Sequence, residues 1–438
     1  MASEADIRRR DGQADMPHRT LQGPPDGGRE GWLCVLGVFL INAHTWGVNS
    51  ASHHPQLEPP RPVRIQRFSL LLHRIWDHNQ WFITDNVRLR RGLSISQSFL
   101  ITPIVTKSCA RWGVRQVMPA GVLLLSISFV GASFATETWQ LMLAQGICFG
   151  WGMGILFVGT IGLLPQWFQK KNGLANALAA SGSGFGGLGY SFITEALISG
   201  LGHPNALRIL GCVTLAVNSI AVLLLRQRST QQQSSKVLSW RLLRTPDFVF
   251  VMLFGVFSIV GYVVCLFTLP SYARSIGLSS SQGSVAGALL NLGQIVGRPT
   301  IGLLGDMFDR LLVTTAGSVL GGLLTLLLWT FAKSYALLLL YSILHGLVAG
   351  AFWAVIAPIL TDIVGLQVLP TALSMVWLVL VIPSTFSEAI ALEIVNSRGG
   401  SYFGVTMCTG AMYLGAAMCS LAVYLIRKQR DINALLIA

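Results

Sequence analysis

Residues 248–272 read FVFVMLFGVFSIVGYVVCLFTLPSY, a run without a single Asp, Glu, Lys or Arg. As an α-helix rising about 1.5 Å per residue, it is long enough to cross the roughly 30 Å hydrocarbon core of a bilayer. A helix apolar on every side has no face to offer water, so such a run belongs in lipid or in the heart of a large protein. Repetition decides between the two. Toward the N-terminus similar runs lie at Ala206–Leu225, Leu174–Ile198, Gln140–Leu164, Val117–Ala135, Leu93–Thr106 and Trp32–Ser50. Toward the C-terminus they lie at Val285–Leu304, Leu312–Phe331, Tyr335–Leu360, Leu369–Leu392 and Phe403–Ile426. About twelve spans of this length, parted by short polar breaks, predict an all-α integral membrane protein.

Composition agrees. Of 438 residues, 52% are hydrophobic and 11% charged, against about 25% charged in a soluble domain. The formal charge of +13 does not read as a nucleic-acid footprint, because the cations punctuate apolar runs and form no basic stripe with interleaved aromatics. Seven cysteines are scattered through those runs without a CxxC pair or metal spacing, and read as small apolar packing residues. No metal or other cofactor is expected. No strand leads into the glycine-rich stretches and no Gly-Lys-Ser or Gly-Lys-Thr follows them; with no nucleophile elbow and no paired carboxylates, the sequence offers nothing for an enzyme.

Charge distribution sets the topology. With the polar tail 1–31 in the cytosol as a disordered segment, the inner side collects Lys107, Arg111, Arg115, Lys170, Lys171, Arg226, Arg228, Arg310 and Arg427, as the positive-inside rule requires. The longest inner break, 227–246, separates a six-helix bundle at 32–226 from a second at 247–426, and 427–438 is read as a cytosolic tail. Transporters of two six-helix halves place their substrate near the midplane between them. The expected partners are therefore a small-molecule substrate and membrane lipid, with no nucleic acid. The plasma membrane is the expected location and the vacuolar membrane the alternative.

The inner loop after the eighth span carries Gly297-Arg298-Pro299, Gly302, Asp306, Asp309 and Arg310, and the loop after the second carries Arg111-Trp112-Gly113-Val114-Arg115. Together they resemble the loop signature of the major facilitator superfamily, in which a glycine lets helices approach and an Asp with arginines locks the inward gate. The first copy has Cys109 near the place of the acid. A finer resemblance is to the fungal branch of the monocarboxylate transporter family. It rests on Asp26-Gly27-Gly28 and Trp32 at the first span, Trp46-Gly47 and Asn49 within it, and Gly150-Trp151-Gly152-Met153-Gly154. Pro165-Gln166-Trp167-Phe168, Ser181-Gly182-Ser183-Gly184-Phe185-Gly186-Gly187 and Gly297-Arg298-Pro299 complete it. The resemblance implies two six-helix bundles working by alternating access.

Polar groups within spans are the default functional candidates. Counting along the eighth span puts Arg298 in the inner half of the bilayer, where a guanidinium can pair bidentately with a carboxylate. In the resembled family this arginine binds substrate beside an aspartate one turn earlier, and a lysine sits late in the first span. Here those places hold Gln294 and Asn49. His44 and His345, near mid-membrane by the same count, are the candidates for a replacement proton carrier. Asn291, Gln145, Tyr262 and Trp353 are expected to complete a cavity of mixed polarity. The function expected is secondary transport of a small organic solute, a carboxylate or other amphipathic metabolite, in uptake or efflux. A solute sensor without net flux is the competing class, disfavoured by the short C-terminus.

One segment does not fit. Residues 51–91 hold His53-His54-Pro55, Pro59-Pro60-Arg61-Pro62 and seven arginines, a composition that breaks helices and cannot lie in hydrocarbon. The resemblance stops at Asn49-Ser50 and resumes at Gly92-Leu93-Ser94. A frame shift or retained intron would produce this pattern, and the translated product would then be impaired in transport; a basic outer loop is the alternative.

Overall fold

The structure, a computed structural model, describes residues 26–51, 92–228 and 238–437. The anomalous segment, apart from Ala51, and the tail before Asp26 lie outside the described residues. Twelve long helices follow in order among those described. We number them α1 (Gly28–His44, continued by Trp46–Ala51), α2 (92–100, continued by Thr102–Trp112), α3 (Val114–Ser133) and α4 (Thr138–Leu141, Met142–Cys148, Phe149–Ile161). Next come α5 (Asn172–Leu201), α6 (His203–Leu224), α7 (Pro246–Ser275), α8 (Ser280–Met307) and α9 (Arg310–Leu323, continued by Leu324–Trp329). The last are α10 (Tyr335–Ala349 and Ala351–Val364), α11 (Leu369–Ser397) and α12 (Phe403–Ile437).

Local chemistry sets the ends. Gly113 (φ 84°) and Gly202 (φ 78°) turn the chain in the left-handed region between α2 and α3 and between α5 and α6, a conformation a Cβ resists. Ser279 and Gln282 form a capping box at the start of α8, satisfying backbone donors that the first turn leaves free.

The contacts repeat with a period of six helices. In the first half α1 packs on α5, and α3 on α4 and α6; in the second α7 packs on α11, and α9 on α10 and α12. The halves meet along α5 and α8, and the symmetry-related pair α2 and α11 also touches. Glycines allow the tightest crossings. A Cβ on Gly182 or Gly186 of α5 would run into the Phe39 or Ala43 carbonyl of α1, while one on Gly184 would come within 2.8 Å of the Asn291 carbonyl of α8. One glycine-rich helix thus lies close to both a neighbour in its own half and a helix of the other half.

Three boundaries differ from the sequence reading. The described chain begins at Asp26 and α1 at Gly28, earlier than residue 32, because Asp26 and Gly27 bond to the loop before α5. The span expected at 140–164 is not a uniform α-helix, since Met142–Cys148 is wound as a π-helix. Residues 427–437 continue α12 where a tail was expected. Arg430 pairs there with Asp247 at the start of α7, and Arg427 donates to the Asp362 carbonyl at 3.4 Å, ties that hold the helix onto its bundle.

Candidate functional site

A cavity lies between the halves, walled by Asn42, Trp46 and Asn49 of α1, Phe157 of α4, Asn176 and Ser183 of α5, Tyr262 of α7, Arg298 of α8 and Trp353 of α10, among others. Its free volume is about 50 Å³. A buried water needs roughly 10–15 Å³ on that measure, so the space admits a few waters and no organic solute. We call this arrangement, with the halves in contact at the arginine-rich end, the closed form.

Arg298 is the charged group in its wall. One terminal nitrogen, Nη1, donates to the Ala180 carbonyl at 2.6 Å and to the Ser183 hydroxyl, both of the opposite half. The other, Nη2, donates to Gln294 Oε1 and, at 3.5 Å, to the Tyr262 hydroxyl, which itself donates to Gln294 at 3.1 Å. The third nitrogen, Nε, is buried without an acceptor. Gly350, at the break in α10, leaves that nitrogen its room, since a Cβ there would strike it. Among the described residues no carboxylate forms an ion pair with Arg298. Removing a cation from water carries a penalty of several kcal/mol that neutral acceptors offset only in part. Among the described residues the guanidinium charge is therefore met by neutral acceptors alone.

The structure gathers some candidates and separates others. Arg298, Tyr262, Asn49 and Trp353 line the cavity, and Gln294 stands directly behind the guanidinium. Asn291 is buried at the α5–α8 crossing and donates to the Gly287 carbonyl at 3.2 Å. Gln145 lies on the π-helical stretch of α4 and does not reach the cavity wall. His44 hydrogen-bonds Tyr190 inside the first half. His345 is enclosed in the second, its ring 5.0 Å from Tyr341 and 5.1 Å from Tyr413. Neither histidine lines the cavity. Asn42, Asn176 and Gly350 were not singled out from the sequence, and Trp46 and Ser183 appeared there only within the resembled motifs, without a site role; rotation about the helix axis is what marks them.

At the arginine-rich end the halves are latched. Asp306 of α8 accepts from the backbone N–H of Gly173 (2.8 Å) and Leu174 (2.7 Å), in the first turn of α5. An acid at a helix N-terminus meets free donors and the positive end of the helix dipole. Arg310 bonds the same carboxylate at 3.0 Å and Asp362 at 2.6 Å. Gly302 lets α5 close in, since a Cβ there would collide with Ala177. The first-half copy carries no such latch: Arg111 sits over the Trp112 ring at 5.6 Å, Gly113 makes the turn and Arg115 is exposed.

The N-terminal signature holds the same loop from within its own half. Asp26 accepts from Lys170 N at 2.7 Å and Gln169 N at 3.3 Å, and the Gly27 N–H donates to the Trp167 carbonyl at 3.1 Å. Trp32 meets Phe168 edge to face at 5.1 Å, and Gly27 and Gly28 take positive φ. The Lys170 N–H, above all, holds the Asp26 carboxyl below the usual carboxylate range.

A sequence profile of the Major Facilitator Superfamily matches residues 93–291. The match spans a little under half of the chain, which is similar in sequence to that superfamily. It is 27% identical over 410 residues to "Probable transporter MCH2" of Saccharomyces cerevisiae, covering 88% of this chain and 82% of that protein. It is 31% identical over 345 residues to "Uncharacterized transporter ESBP6" of the same yeast, covering 75% of this chain and 49% of the relative. In three dimensions it resembles the E. coli fucose:proton symporter FucP at a TM-score of 0.65 and 13% identity, over 90% of this chain and 98% of that one. The likeness to FucP is one of fold. The chain is a multi-pass membrane protein with the major facilitator fold, similar to transporters.

Proposed function

We propose that this facilitator carries a small organic anion bearing a carboxylate and an apolar body, by alternating access between the two six-helix halves. The observation that carries the reading is Arg298, buried at the interface of the halves with neutral partners and no resident acid. A carboxylate fits the planar fork of a guanidinium and supplies the missing charge. The largely apolar wall around it suits the rest of an amphipathic solute. In this reading the latch of Asp306 on α5 closes the arginine-rich end, which faces the cytosol of a plasma-membrane protein by the positive-inside rule. The chain moves its solute without chemical change and is no enzyme.

The test is uptake and efflux of radiolabelled carboxylates in proteoliposomes holding the wild type, Arg298→Lys or Arg298→Ala. Lysine keeps the charge and loses the fork, so the half-saturating concentration is expected to rise about tenfold, equivalent to about 1.4 kcal/mol. Alanine is expected to abolish flux while the protein still inserts. Wild-type transport by Arg298→Ala would remove the proposal.

A further inference from the structure

Aromatic rings drawn from both halves pack in and beside the cavity wall. Trp46, Phe99 and Phe157 come from the first and Tyr262, Trp353 and Trp377 from the second. Ring centroids cross the interface at 5.0 Å for Trp46–Trp353, 5.4 Å for Phe99–Trp377 and 5.2 Å for Phe157–Trp377. Phe99 and Phe157 also meet Trp353, at 6.3 Å and 5.9 Å. Separation of the halves at this level parts these pairs. Rings that lose stacked and edge-to-face partners are best repaid by another flat π-system.

The polar atoms of the wall add a second requirement. Two buried side-chain atoms among the lining residues have no hydrogen-bond partner, Arg298 Nε and Trp46 Nε1. Both are donors. Arg298 Nε faces Gly350 of α10, so a cargo meets the guanidinium at its terminal nitrogens, and an acceptor that satisfies the Trp46 N–H makes a second, separate point.

We infer that the preferred cargo is a flat aromatic or conjugated carboxylate with a second acceptor on its far side, a ketone, ether or ring nitrogen, in preference to a short aliphatic acid. The inference rests on the proposed anion site at Arg298 and adds ring shape and a second polar point. Trp46 and Trp353 become the residues that set specificity. Arg298 holds the carboxylate, Trp353 lies against the ring face, and the Trp46 indole N–H reads the distal acceptor.

Binding of five probes to the purified full-length protein tests this, by thermal stabilisation and by calorimetry. They are 4-acetylbenzoate, benzoate, cyclohexanecarboxylate, lactate and neutral acetophenone. The expected order of affinity is 4-acetylbenzoate, benzoate, cyclohexanecarboxylate, lactate, with at least tenfold between benzoate and cyclohexanecarboxylate. Trp46→Phe keeps a ring and removes the donor, so it is expected to erase the advantage of 4-acetylbenzoate over benzoate and leave benzoate binding within about threefold. Trp353→Leu is expected to bring benzoate and cyclohexanecarboxylate together. Equal, Arg298-dependent binding of all four acids overturns the inference and leaves the anion site standing. Stronger binding of acetophenone than of benzoate overturns the anion site and supports the ring preference. Binding of none of the probes overturns both.

Discussion

The Asp306 latch predicts a measurable shift in the resting equilibrium of the carrier. Asp306→Asn removes the charge and one of two acceptor oxygens while keeping the shape. Two of the three hydrogen bonds at issue cross from α8 to α5, and the third, to Arg310, stays within the second half. Hydrogen bonds to a charged group contribute about 1.5–3 kcal/mol each. The asparagine oxygen retains one bond in weaker form, and the side chain is 8% exposed, so solvent screens little of the difference. The closed form should lose about 2–3 kcal/mol relative to the form open at the arginine-rich end, a shift of roughly 30- to 150-fold in their ratio. A cysteine at Asn176, buried in the cavity wall just inside the latch, reports it by maleimide labelling in a background where the seven native cysteines are replaced. Labelling from the arginine-rich side is expected to rise by more than tenfold. Asp309→Asn is the control, because Asp309 caps only α9; asparagine caps about as well as aspartate, so it should leave helix stability and labelling nearly unchanged. Equal labelling in wild type and Asp306→Asn, or an equal rise in Asp309→Asn, would refute the argument.

Two further expectations concern titration. Asp26, held below the usual carboxylate range chiefly by the Lys170 N–H, contributes stability that is present above its unfolded pKa of about 3.9 and fades as pH falls through its lower folded value. Asp26→Asn should therefore lower the melting temperature at pH 7, and the gap to wild type should narrow from pH 4 to pH 2; a gap that stays constant over that range would contradict the role of the charge. Proton coupling through His44 or His345, if the carrier uses it, acts across their own bundles, because neither reaches the cavity. Any pH dependence of flux that runs through these residues is then expected to be lost in the double His→Gln variant; its retention would exclude both residues.

Much of the fold was open to reading because lipid demands long apolar helices. Nine of the helices, α1, α3, α4, α6, α7 and α9–α12, carry windows of mean hydropathy from 1.4 to 2.6. The remaining three, α2, α5 and α8, carry no such window among the described residues. In α8 Asn291, Gln294 and Arg298 face inward, and in α5 glycines and serines face two neighbours. Depth in the membrane followed from counting residues, which put His345 and Arg298 at plausible levels. Rotation did not follow, because lipid is as apolar as a bundle interior and no amphipathic stripe tells the two sides apart. Hence His345, at a plausible depth, turns into its own bundle, while Trp46 and Ser183, which no count favoured, meet at the cavity. The helical continuation of α12 was hidden for a different reason: polar residues after Ile426 read as a tail until Asp247, far away in sequence, supplies the partner of Arg430.

The replacement of an acid by Gln294 beside Arg298 has a consequence for how the proposed site works. An aspartate there would neutralise the guanidinium in the empty carrier, and an incoming carboxylate would have to compete with it or wait for its protonation. The Gln294 oxygen takes one arm of the fork and orients it through Tyr262, yet leaves the positive charge in place. Ser183 and the Ala180 carbonyl take the other arm from across the interface. Those two bonds break when the halves part, so the arm that a substrate would claim is the one that opening releases. An anion arriving in the opened site replaces two neutral acceptors with a charged one, and the bonds it forms are the stronger kind. The same group thus helps hold the empty carrier closed and rewards a negatively charged cargo when it opens.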